Sequence, residues 1–132
     1  MSSSIISIPG NIIVINRGDS HAFNIDLTVS DNPGEIYRLK DNDILYFGLM
    51  YPRQEFEDAI IKKKFTVEDY YEDSDLLEIL LEPEDTVDLL PGKYYYAIKL
   101  KLDHIEIEED GSEKRVTGVE TVVNKTKFIV CD

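Results

Sequence analysis

The chain has 132 residues, a length that suits one domain and buries roughly two-thirds of its unfolded surface without help from disulfides or metal. Lys plus Arg number 14 against 27 Asp plus Glu, a net charge of −13, which argues against binding to nucleic-acid phosphates or an anionic membrane surface. With 42% hydrophobic and 31% charged residues the composition is globular rather than disordered, and a single cysteine precludes an internal disulfide.

Met1 to Ile6 lacks the positive n-region and long apolar core of a secretory signal, and no apolar run approaches the ~18 residues of a membrane-spanning helix. A soluble domain made in the cytoplasm is the expectation. Residues 1–10, ending in Pro9-Gly10, read as a loose arm, and residues 11–132 as one domain. The arm is uncharged and β-prone. Ile5, Ile6 and Ile8 are therefore candidates for adding a strand to a neighbour's sheet.

From there the apolar spacing is mostly two. Ile12 to Ile15 is apolar on consecutive positions, as in a strand covered on both faces. Asn16-Arg17-Gly18-Asp19-Ser20 predicts a turn. Phe23, Ile25, Leu27 and Val29 alternate with polar residues, the pattern of a half-buried strand. Asp31-Asn32-Pro33-Gly34 predicts a second turn, since Pro presets φ and Gly accepts a positive one. Ile44 to Met50 is another continuous apolar run. Residues 66–75 are acidic with scattered Val67, Tyr70 and Tyr71, and read as an exposed loop or short helical turn. Leu76 to Leu81 is too short for a typical helix and reads as a strand.

Pro83 to Thr86 predicts a single helical turn, because Pro suits the first helical position and acids suit the dipole there. After Leu90-Pro91-Gly92, Tyr94, Tyr96, Ile98, Leu100 and Leu102 alternate with Tyr95, Lys99 and Lys101. Ile105 and Ile107 continue the alternation, and Glu109-Asp110-Gly111-Ser112 is a hairpin turn leading into the Val116 to Val123 stretch and Phe128 to Val130. About eight to ten short strands at intervals of roughly 8–12 residues are the signature of a β-sandwich.

Few constellations carry chemistry. His21 and His104 are far apart and are expected on solvated strand faces or edges, and with one cysteine a structural zinc site cannot be assembled. Asp41-Asn42-Asp43 reads as a solvated, charged turn. It fails the EF-hand pattern because Leu45 and Tyr46 stand where an acid and a glycine are needed. Hard-oxygen ligands for calcium are better supplied by Asp69, Asp73 and Asp75. No Gly-x-Ser-x-Gly elbow or phosphate loop is present, and Cys131 reads as a strand end. No cofactor and no enzymatic activity are expected. Arg17-Gly18-Asp19 falls where a turn between strands requires a glycine. In the run Tyr94-Tyr95-Tyr96, Tyr94 and Tyr96 are expected to point inward. Tyr94 follows Pro91-Gly92 as in the tyrosine corner of Ig-like sandwiches. Tyr95, with Tyr70 and Tyr71, is a candidate for a partner interface, where Tyr is enriched.

The order of Gly18-Asp19 before Phe23, Tyr37 to Asp43 before Leu45-Tyr46-Phe47-Gly48, and Glu84-Asp85-Thr86 before Leu90-Pro91-Gly92-Lys93-Tyr94-Tyr95-Tyr96-Ala97-Ile98 forms a wider pattern. It resembles the small Ig-like structural domains of Gram-positive phages and prophages, and is similar to the N-terminal domain of phage baseplate upper proteins. The resemblance spans about residues 11–131 and implies an Ig-like antiparallel β-sandwich. It also implies a non-enzymatic virion subunit, in tail, baseplate, neck or capsid. Its partners would be other virion proteins and possibly itself, with no nucleic acid or membrane involved. The competing expectation is a carbohydrate- or calcium-binding module built on the 68–75 cluster, though the chain has no Trp to stack on a sugar.

Overall fold

Ile44–Met50 (β6) shows how the sequence makes the core. Leu45, Phe47 and Leu49 alternate onto the inner face of a sheet and are fully buried. Gly92–Ile107 (β9) does the same with Tyr94, Tyr96, Ile98, Leu100 and Leu102, and pairs antiparallel with β6. The computed structural model describes residues 5–6, 10–25, 27–29, 32–70 and 77–132. The described chain is almost entirely β-strand.

The main sheet has five strands, in the order β2, β10, β9, β6, β7, where β2 is Ile13–Asn16, β7 is Ile61–Phe65 and β10 is Glu113–Cys131. It is mixed. β2 runs parallel to the end of β10, with Ile13 opposite Phe128 and Asn16 opposite Cys131, whereas the other pairs are antiparallel. The remaining strands form small sheets. His21–Ile25 (β3) pairs with Leu77–Leu81 (β8). Leu27–Val29 (β4) lies between Ile5–Ile6 (β1) and Asn32–Tyr37 (β5). Ile25, Leu27, Tyr37, Leu77, Ile79 and Leu81 bring the small sheets into the same core as Phe47, Ile98, Phe128 and Val130. Phe23 meets the rings of Phe47 and Tyr96 at 6.0 and 6.2 Å, edge-on, across that core.

Two turns form as the sequence predicts. Gly18 takes φ 84° in the 16–20 turn, and the Asp19 N–H donates to the Asn16 carbonyl. Pro83–Thr86 (α1) is one helical turn, opened by a reciprocal cap between Glu82 and Asp85. The Tyr94 hydroxyl donates to the Leu90 carbonyl at 2.5 Å, the bond expected of a tyrosine corner.

Four expectations are corrected. The sheet is not purely antiparallel, because the first and last strands of the main sheet run side by side in the same direction. Two strands are long rather than short. The alternation of β9 runs unbroken from Tyr94 past His104, while β10 absorbs its irregularity in two bulges near Val123 without ending, leaving both Val122 and Val123 inside. Pro33 and Gly34 lie within β5 rather than in a turn, which an edge strand tolerates, and the chain reverses between Val29 and Asn32. β2 is covered on one face only: Ile13 and Ile15 are buried while Ile12 and Val14 face solvent.

Candidate interaction surface

Asp43 and His104 lie at the inner positions next along the strands from Leu45 and Leu102, and both are buried. The expectation that His104 sits on a solvated face, and Asp43 in a solvated turn, is therefore overturned. The Tyr37 hydroxyl and the Lys40 N–H donate to Asp43 Oδ2. The Asp103 N–H donates to its Oδ1 at 2.7 Å, and His104 Nδ1 lies 2.9 Å from the same oxygen. His104 Nε2 reaches Glu106 Oε1 at 3.2 Å. Among the described residues every buried side-chain nitrogen and oxygen has a partner, so the cluster is closed rather than open to a ligand.

Burial opposes the charge on Asp43, but hydrogen bonds from Tyr37, the Asp103 amide and His104 outweigh it and hold its carboxyl below the usual carboxylate range. Burial likewise opposes the charge on His104. The hydrogen bonds to Asp43 and Glu106 prevail and raise its pKa. The Tyr37 hydroxyl is pushed well up, by burial first and then by its bond to Asp43.

The cluster sits where β9 outgrows its neighbour. β6 begins at Ile44, opposite Lys101, so beyond Lys101 the β9–β10 hairpin has no β6 partner. The 40–43 turn takes its place. The Asn42 N–H donates to the Asp103 carbonyl, and Asp43 and Asp41 accept from the Asp103 and Ile105 amides. Asp41 adopts φ 45° to make this possible, a conformation Asp tolerates better than most residues. Two carboxylates thus satisfy strand-edge amides and clamp the base of the hairpin. Its tip closes through the Glu108 N–H to the Ser112 carbonyl and the Gly111 N–H to the Glu108 carbonyl.

The outward face of the main sheet lies on the other side. Lys62 and Lys64 of β7, Tyr46 of β6, Lys99 and Lys101 of β9 and Val119 of β10 line a groove of about 490 Å³, with Phe56 at its margin. Their side chains share this face because Lys64 stands opposite Tyr46, Tyr46 opposite Lys99, and Lys101 opposite Val119. The Lys99 ammonium lies 5.0 Å from the Phe56 ring, and that of Lys64 lies 5.8 Å from Tyr46. The Lys62 ammonium donates to the Glu57 carbonyl at 2.6 Å. Among the described residues none of the four lysines pairs with a carboxylate. Phe56 reaches the face because Gly48 leaves room. A Cβ there would stand 2.7 Å from the ring.

The candidates named from sequence fall in separate places. Tyr95 is half-buried on the outward face of β9, opposite Lys127 and Met50. Tyr70 is not exposed as expected. It packs on the core, its hydroxyl accepts from the Leu39 N–H at 2.8 Å, and Arg38 stacks on its ring at 4.0 Å. The Asp69 carboxylate is committed to a helix cap, accepting from the Thr66 N–H at 2.7 Å. Tyr71, Asp73, Asp75 and Ile8 lie outside the described residues, while Ile5 and Ile6 pair with Val29 and Thr28. Arg17 is paired with Asp132 at 2.6 Å. Cys131 pairs with Asn16 at the end of β10.

The lysine groove was hidden in sequence because its residues come from three separate stretches. The polar clamp carried a readable signal: Asp43 and His104 continue the inward alternation of their strands. Among the described residues no helix is long and apolar enough to cross a membrane. Comparison with protein-family models, curated proteins and solved structures finds no match.

Proposed function

We propose that this chain is a non-enzymatic structural subunit of a phage or prophage particle, an Ig-like sandwich acting through protein–protein contacts in tail, baseplate, neck or capsid. The observation that carries the reading as an assembly module is the outward face of the main sheet. Ile12, Val14, Ile105, Ile107 and Val119 are exposed on that face, beside the lysine groove. Such an uncovered apolar and charged face marks an interaction surface better than a reaction centre. The closed polar clamp supports the same reading, since it holds a hairpin and presents no reacting atom to solvent. The tyrosine corner and the shared core of large and small sheets support the Ig-like assignment. The phage context itself rests on the sequence resemblance.

The test is mass spectrometry of intact particles from a producing culture. Stoichiometric recovery of the chain after a high-salt wash is the expected result, and absence from purified particles would sink the proposal.

A further inference from the structure

We infer that two copies of this chain dock face to face through the outward side of the β9–β10 hairpin, the lysine groove of each receiving the acidic hairpin tip of the other. The inference rests on the reading of the domain as an assembly module and names the partner of its outward face.

Cross-strand register puts Lys101 with Val119, Asp103 with Thr117, Ile105 with Arg115 and Ile107 with Glu113 on that side. From the body of the sheet outward, the face changes character. It begins with Lys62, Lys64, Lys99 and Lys101 around the groove. Its middle carries exposed Val119 (67%), Ile105 (43%) and Ile107 (67%), with Arg115 paired to Asp103 at 3.0 Å. It ends in Glu106, Glu108, Glu109, Asp110 and Glu113, with no Lys or Arg between residues 106 and 113. The face is therefore positive at one end, apolar in the middle and negative at the other.

Such a surface is complementary to its own reverse. A two-fold axis lying in the interface, across the strands and level with Ile105, places Ile105 against its equivalent. The same operation lays Lys101 of each copy over the region of Glu109 of the other, since each is four residues from Ile105. The contact cannot form within one chain. Ile107 lies six residues beyond Lys101 along a continuous strand, roughly 20 Å away, and the clamp at Asp41 and Asp43 keeps the hairpin from folding back. A head-to-tail arrangement would leave a groove and a tip unfilled at each end. The two-fold pairing fills both at once, because both lie on one face of one hairpin.

The experiment is analytical ultracentrifugation of the whole chain at about 0.05 M and about 1 M salt, since the screening length falls to ~3 Å at the higher value. The wild type should sediment as a dimer that weakens in high salt. The variants K64E/K101E and E109K/E113K, checked by circular dichroism for an unchanged fold, should each dimerise at least roughly tenfold more weakly. Their equimolar mixture should recover a one-to-one dimer, because each reversed groove then meets a reversed tip. A wild type that stays monomeric at all concentrations overturns the inference. So does growth beyond two copies, or a mixture no tighter than either variant alone. Particle mass spectrometry separates the two proposals: a monomeric chain found in particles removes only the dimer, and a dimeric chain absent from them removes only the virion role.

Discussion

Asp43 accepts from two backbone amides and the Tyr37 hydroxyl and also meets His104, without access to water. An amide there would turn two donor hydrogens toward groups that are themselves donors. Asp43→Asn is expected to cost about 3–5 kcal/mol, the range for breaking a buried charged pair from one side, measured by urea unfolding. The pH dependence follows from the two shifts. Asp43 is lowered from 3.8, so its contribution is complete above that value and fades as pH falls through the lower folded pKa. His104 is raised from 6.5, so its contribution is complete below that value and is lost as pH rises through the higher folded pKa. Tyr37, Glu106 and Lys40 also face this pair, and Lys40 opposes the rise at His104. Melting temperature should therefore be highest between the two ordinary values. His104→Asn should remove the decline on the alkaline side, and a decline of unchanged size in that variant would assign it elsewhere. Tyr94→Phe should cost about 1 kcal/mol, the net worth of one hydrogen bond to Leu90.

At the scale of elements, Gly48 and Phe56 form a coupled pair. Gly48→Ala drives a methyl into the Phe56 ring and is expected to cost about 1–3 kcal/mol, as overpacking does. In a Phe56→Ala background the same change should cost much less, and equal costs in both backgrounds would refute the coupling. Nothing in the local sequence announces this contact, because it depends on the 51–60 connection folding back onto the sheet. What was legible is what is local: the alternation of β3, β6 and β9, the helical turn at Pro83, the hairpin turn at Asp110-Gly111 and the corner at Tyr94. What was not legible depends on pairing across the chain. The parallel neighbourhood of β2 and β10 is one case, and the meeting of Lys62, Lys64, Lys99 and Lys101 is another. Asp43 and His104 fall between. Their phase on the strands was readable, but residue type outweighed it, since Asp and His are more often solvated than enclosed.

For the molecule as a whole, a net charge of −13 makes the folded state repel itself, and the lysine groove relieves only part of that. Melting temperature should rise with moderate salt, and a flat or falling profile would show that local pairs dominate the balance. The pairing of β2 with the end of β10 has a mechanical consequence. A pull applied before Ile13 and after Cys131 draws these two parallel strands past one another lengthwise. The load then falls on all four residue pairs from Ile13–Phe128 to Asn16–Cys131 together, instead of opening them one after another. Stretched along that line the domain should yield at a higher force than when pulled between Asp132 and the hairpin tip at Gly111. Its strength under tension is thus a matter of direction.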